Sequence, residues 1–257
     1  MNTCELLCHL HPDFPHVLCL TEYHLKYPQL NNVHIENYNL AAYYCRQLCE
    51  KGGVAIFVHN SLCFSNIGIV KHCEEQDIGI CVLELSFGVL NICVLTLYRA
   101  PSGNFSCLLV KLDNILKLLY TPTLNIIMFG DININRLMES EKKNQLDNLL
   151  LSYNLNSIII FPTRVQNTSA AAIDNIFIDI YQFESYTGTP FLNVLFDHDS
   201  QLLMICADYS HMPIQKSKSV RRINKCTIYE STFYCALVLL MHSANMKKAR
   251  YLILFKN

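Results

Sequence analysis

The sequence predicts an α/β or α+β protein built as a sheet-on-sheet sandwich flanked by helices. Seven short runs rich in Val, Ile and Leu recur along the chain, and two longer stretches have helical periodicity. The composition agrees: 257 residues, 51% hydrophobic and 16% charged, suit a folded chain with a substantial core rather than a disordered one.

The strand-like runs are HVLCLTE at 16–22, GVAIFVH at 53–59, IGICVLEL at 78–85, LNICVLTLY at 90–98, NIIMFGD at 125–131, AIDNIFID at 172–179 and SQLLMICAD at 200–208. Continuous apolar runs of this length fit strands covered on both faces. The third and fourth are separated by a short connection containing Gly88, which suits a hairpin. Between the fourth and fifth, Phe105, Leu108, Leu109, Leu112, Ile115, Leu116 and Leu119 recur at spacings of three and four, so residues 104–120 form an amphipathic helix. A weaker helix spans 140–152, with Ser140 as its N-cap.

From residue 210 the pattern changes. Residues 1–209 carry 11 Lys/Arg against 20 Asp/Glu, whereas 210–257 carry 9 against 1. A boundary is therefore placed near 209, followed by a basic linker, QKSKSVRRINK, and a helix-like end without obvious strand partners. The basic tail suits either phosphate contact or a simple solubilising end. The acidic body does not suit strong non-specific DNA binding, which is driven by phosphate neutralisation.

The 13 cysteines are scattered singly through apolar runs, with no C-x-x-C pair, and read as reduced core thiols rather than disulfides or a zinc site. No apolar run reaches about eighteen residues, so no membrane span is expected. The first residues lack the basic and apolar regions of a secretory signal, which implies an intracellular protein.

Polar residues collect at the ends of the apolar runs. In IMFGDININ (127–135) the apolar run stops on Gly130 and then offers Asp131 and Asn133, two positions apart and on one face if the strand continues through Ile132. An Asx-turn is the simpler use of such an aspartate. Glu22 ends the first run, where a lone glutamate is usually just solvated, and Tyr98 ends the fourth, where a surface turn would also explain it. Asp174 sits among β-branched residues and needs a donor if buried. Asp197, His198 and Asp199 precede the last run. Carboxylates of this kind suit a hard divalent cation, and a histidine beside a carboxylate suits proton transfer or charge stabilisation.

In order and spacing, LCLTE (18–22), GGVAIFV (52–58), LYRAPSGN (97–104), FGDININ (129–135), PTRVQNTSAAAIDNIF (162–177) and FDHDSQL (196–202) resemble the endonuclease/exonuclease/phosphatase superfamily, in particular the endonuclease domain of non-LTR retrotransposons, over about residues 5–208. The resemblance implies a four-layer α/β/β/α sandwich of two mixed sheets flanked by helices, with the active site on one rim. It implies Mg²⁺-dependent (or Mn²⁺-dependent) hydrolysis of a DNA phosphodiester. By position, Glu22 matches the family's metal-binding glutamate and Tyr98 its phosphate-contacting tyrosine. Asp131 and Asn133 match the pair that positions the water and holds the phosphate. Asp174 matches the aspartate that orients the histidine, and Asp197 and His198 match the acidic residue and the histidine of the last motif, with Asp197 a metal ligand. The intact family carries a reverse-transcriptase domain, of which this sequence shows none, and the resemblance implies an intracellular protein that acts in the nucleus.

Three departures stand beside these matches. Met1 falls within what should be the helix after the family's first, Asn-bearing strand, so that strand is expected to be missing; Phe196 replaces a serine; and the tail does not resemble a polymerase region. The competing expectations are a catalytically inactive remnant that at most binds nucleic acid or protein, and a phosphatase acting on a small phosphorylated substrate.

Overall fold

A computed structural model describes residues 15–206, except 24, 31, 50–51, 88–89, 122–123, 167–168, 184 and 192–198, together with 236–242 and 250–255. Two mixed sheets dominate. The six-stranded sheet has the order β4 (Cys63–Asn66), β5 (Ile78–Phe87), β6 (Leu90–Arg99), β7 (Leu124–Asp131), β11 (Asp174–Asp179), β8 (Leu155–Ser157). The seven-stranded sheet runs β12 (Ser185–Phe191), β13 (Ser200–Cys206), β14 (Ala236–His242), β15 (Arg250–Phe255), β1 (Pro15–Tyr23), β3 (Gly53–His59), β2 (Tyr38–Tyr44). A small hairpin of β9 (Arg164–Gln166) and β10 (Ser169–Ala171) stands apart.

The two sheets pack face to face. Alternate residues Val17 and Cys19, Val54, Ile56 and Val58 from one sheet meet Leu83, Leu85, Val94, Ile127, Phe129, Ile176 and Ile178 from the other in a single apolar core. The intervening residues of β5, β6 and β7 face outward, which is why these runs read as continuously apolar. They are covered by Leu108, Leu112, Ile115 and Leu116 of α2 (Phe105–Leu119) and by Leu146 and Leu150 of α3 (Glu141–Leu151). Asn104 caps the first of these helices through its side chain, accepting from Cys107 N at 3.1 Å. Ser140 caps the second, as expected, accepting from Lys143 N at 3.2 Å. The outer face of β1 and β3 packs against Leu25, Leu30 and Ile35, in a segment that includes the four-residue helix α1 (Tyr27–Leu30).

The expected strands fall where the apolar runs lie, each bound moved by no more than two residues. The β5–β6 hairpin pairs Ile78 with Arg99 through to Phe87 with Leu90; Gly88 lies outside the described residues. Residues 1–14, and with them the expected helix ELLCHLHPDF, also lie outside.

One expectation is overturned. The sequence at the end of the chain is helix-like without obvious strand partners, but in the structure β15 pairs parallel with β1 and antiparallel with β13, and β14 pairs with the same two strands. The apolar runs ALVLLMH and RYLILF are six or seven residues long, a length at which periodicity does not distinguish a buried strand from a helix. Among the described residues no helix is long and apolar enough to cross a membrane.

The eight cysteines whose side chains are described are all free thiols. Burial pushes Cys19 and Cys93 up to about 12, as expected of inert core thiols.

Candidate active site

Three adjacent strands carry polar residues in one row. Tyr98 of β6 is the register partner of Asp131 of β7, and Asp131 is that of Asp174 of β11. Register partners lie about 5 Å apart, so the three side chains sit side by side. The alternation that sends Val94, Ile127, Phe129, Ile176 and Ile178 into the space between the sheets sends these three the same way, at the end where the strands stop. All three are buried, with Asp131 1%, Tyr98 2% and Asp174 3% exposed.

Gly130 precedes Asp131 because nothing larger fits: a Cβ there would stand 2.5 Å from Leu97 O. After Asp131 the strand stops. Asn133 takes a left-handed φ of 53°, so the expectation that Asp131 and Asn133 share a face by strand alternation is corrected. The left-handed turn, which Asn tolerates better than most residues, fixes both groups instead. Asp131 Oδ1 accepts from Asn133 N at 3.2 Å, the Asx-turn that a strand-end aspartate suggested. Asn133 Nδ2 donates to Arg99 O at 2.8 Å. The buried Arg99 donates from Nη1 to Ile132 O at 3.2 Å and from Nη2 to Gly103 O at 2.5 Å, tying the ends of β6 and β7 together. Burial lowers its pKa, and the nearby Asp131 and Asp77 oppose that shift.

Glu22 reaches the row from the other sheet, through a device that sequence alternation does not reveal. Val17 and Cys19 of β1 face the inter-sheet core, while Leu18 and Leu20 face outward; continued alternation would send residue 22 outward. The β1–β3 register shifts between Thr21 and Tyr23, and Glu22 has a φ of 57°. This bulge returns Tyr23 to the outer face and re-aims Glu22, whose Oε1 accepts from Tyr98 OH at 3.1 Å. A glutamate held in left-handed backbone is strained, and strain of this kind collects at functional sites. The Tyr98 pKa is raised by burial and further by Glu22 and Asp131, while Arg46 opposes the rise. The phenol therefore remains a neutral donor.

The buried Asp174 finds the donor it needs in Thr163, which lies in the stretch PTRVQ. Thr163 is fully buried, and its hydroxyl donates to Asp174 Oδ2 at 2.9 Å while accepting from Ile173 N at 3.1 Å and Asp174 N at 3.2 Å. The carbonyl of Thr163 accepts from Asp199 N at 2.8 Å, which brings the chain immediately after His198 beside Asp174. Asp197 and His198 themselves lie outside the described residues.

Sequence reasoning missed two groups. Thr163 was announced only indirectly, by the requirement of a buried carboxylate for a donor. Arg46, whose guanidinium carbon lies 5.1 Å from the Tyr98 ring centroid, had no signal at all.

The donor set is of oxygen ligands, the kind a hard divalent cation takes, and among the described residues no group of three or more His, Cys, Asp or Glu side chains could hold a metal. Mg²⁺ commonly uses one or two carboxylates together with waters and substrate phosphates, so a site built on Glu22 fits it.

The fold has solved counterparts. The endonuclease domain of TRAS1, a telomere-specific non-LTR retrotransposon, superposes with a TM-score of 0.60 at 15% identity, over 84% of this chain and 94% of that one. TDP2 of D. rerio, complexed with a single-strand DNA product, gives 0.54 at 13% identity, over 77% of this chain and 86% of that one. The 3′ phosphatase NExo from Neisseria, bound to a product DNA hairpin, gives 0.50 at 13% identity, over 76% and 91%. No family model matches the sequence, and no curated protein matches it. The fold is that of the endonuclease/exonuclease/phosphatase proteins, as the sequence motifs implied.

Proposed function

We propose that this protein is a Mg²⁺-dependent DNA endonuclease of the non-LTR retrotransposon type, hydrolysing a phosphodiester at the rim where Tyr98, Asp131 and Asp174 stand in a row. The observation that carries the reading is this row joined by Glu22 from the opposite sheet through the Tyr98 hydroxyl. The resemblance to the TRAS1 endonuclease domain supports it.

In this reading Asp131, anchored by its own turn, accepts a proton from the attacking water and orients it in line with the phosphorus. Tyr98, whose single proton is released from Glu22 once that carboxylate takes up the cation, and the second Nδ2 proton of Asn133 donate to the phosphate oxygens. Asp174, held by Thr163, orients His198, which stabilises charge on the phosphate as the 3′ oxygen leaves. Glu22 and Asp197 would hold the cation, which would neutralise charge developing on the phosphate oxygens. Burial of Asp131 and Asp174 excludes bulk water and strengthens their interactions.

The test is conversion of supercoiled plasmid to nicked circle by the full chain with Mg²⁺ and with a chelator, alongside phosphate release from a soluble phosphomonoester. Nicking that needs the metal supports the endonuclease. Phosphate release without nicking supports a small-substrate phosphatase, and neither activity means an inactive remnant.

A further inference from the structure

We infer that Arg46 is a positioning residue of the site, held over the Tyr98 ring by a loop that Lys26 and Glu75 clamp from two sides. Its catalytic consequence rests on the proposed function; its structural part does not.

The loop between β2 and β3 approaches the site closely. Gly52 has a φ of 101°, and a Cβ there would stand 2.5 Å from Tyr98 Cε1 and 2.8 Å from Arg46 Nη1, so only glycine lets loop, ring and guanidinium meet. Arg46 is 6% exposed, and its guanidinium lies over the ring face in cation–π geometry.

Two opposite charges fix this loop. The Lys26 ammonium donates to the carbonyls of Arg46 at 2.9 Å, Gln47 at 3.0 Å and Cys49 at 2.5 Å, using all three of its protons. Glu75 Oε1 accepts from Leu48 N at 2.7 Å and Cys49 N at 3.1 Å, while its Oε2 accepts from Tyr44 OH at 3.4 Å. The start of the loop is held by Tyr23, whose hydroxyl lies 2.9 Å from Tyr44 O and 3.1 Å from Cys45 Sγ. Tyr23 is the neighbour of Glu22, so the bulge that aims Glu22 at Tyr98 also anchors the loop that brings Arg46 to the same ring.

This arrangement has an electrostatic use. Tyr98 lies near the carboxylates of Glu22 and Asp131, and a cation over its ring offsets that negative field while fixing the direction of its hydroxyl. A phosphate contacting Tyr98 therefore meets a hydroxyl already held in place and a field less repulsive to anions.

The experiment is ¹⁹F NMR of the full chain labelled with 3-fluorotyrosine, the Tyr98 resonance being assigned by its loss in Tyr98→Phe. Arg46→Gln and Lys26→Gln are expected to move the Tyr98 resonance, with Arg46→Lys moving it less, while resonances of remote tyrosines such as Tyr153 and Tyr181 stay in place. In the nicking assay Arg46→Gln is expected to lower kcat roughly thirtyfold, the worth of one desolvated cation–π contact, with Arg46→Lys partly restoring it. A Tyr98 resonance that is unmoved in Arg46→Gln, or that moves only together with every other tyrosine, overturns the inference. A wild type without nuclease activity removes the proposed function and leaves the resonance shift to decide the positioning role by itself.

Discussion

Replacing Thr163 with valine keeps the side-chain shape and removes only the hydroxyl, at the point where Asp174 is held. The hydroxyl makes three contacts in a fully buried site: it donates to Asp174 Oδ2 and accepts from the amides of Ile173 and Asp174. Leaving a buried amide without an acceptor costs about 1–3 kcal/mol, and a hydrogen bond to a charged group contributes about 1.5–3 kcal/mol. The three share one atom and do not add fully, so Thr163→Val is expected to destabilise the fold by about 3–5 kcal/mol, a large part of the total for a typical domain. With a urea slope near 3 kcal/mol/M, the midpoint falls by about 1–2 M. The chain has no tryptophan, so far-UV circular dichroism is the suitable probe. Thr163→Ser keeps the hydroxyl and loses one buried methyl, at a cost of about 1 kcal/mol. A Thr163→Val midpoint no lower than that of Thr163→Ser would refute the claim that this hydroxyl holds Asp174.

Three further outcomes are expected. Gly130→Ala places a Cβ 2.5 Å from Leu97 O and 2.8 Å from Leu97 Cγ, and backbone cannot yield cheaply; thermal melting should show a loss of about 1–3 kcal/mol, whereas Gly68→Ala, which meets nothing within 4 Å, should change little. Burial raises the Glu75 pKa, but the amides of Gln47, Cys49 and Leu48 and the Tyr44 hydroxyl outweigh it and hold the carboxyl below its ordinary 4.5. Its folded pKa being depressed, its stabilisation is fully present above 4.5 and is lost as pH falls through the lower folded value; Glu75→Gln should therefore flatten the acid side of a stability–pH curve and leave its shape above pH 6 unchanged. Peptide-level mapping of thiol labelling at neutral pH should find the exposed Cys63 modified in the native protein and the buried Cys19, Cys81 and Cys93 modified only after unfolding.

What the sequence made legible follows from the kind of signal each element leaves. Strands buried on both faces must be apolar at every position, so β5, β6 and β7 announced themselves as uninterrupted runs, and Ser140 announced a helix start by its own capping chemistry. The β14 and β15 runs are as apolar but isolated in a basic tail, and local pattern gives no information about a partner as distant as β1. Asp131 and Tyr98 could be picked out because each ends a run and Asp174 because it sits near the start of one among β-branched residues, and their alignment in one row required only register. Glu22 was picked out for the same reason, yet its route to the site was hidden, since a bulge reverses the alternation from which its orientation would be read. Arg46 was illegible for a different reason: it acts through a loop fixed by Lys26 and Glu75, contacts made across 20 to 27 residues of chain.

In the proposed function Asp131 stands at the reacting centre of a phosphodiesterase site. The direct measurement is the initial rate of plasmid nicking with Mg²⁺ by the wild type and by Asp131→Asn, which keeps an acceptor oxygen for the Asn133 amide and removes the charge. Nicking by the wild type and a loss of about 10²–10⁴-fold in the variant, the range for removal of a general base, are expected. Equal rates in the two proteins, or no nicking by a folded wild type, would contradict this assignment.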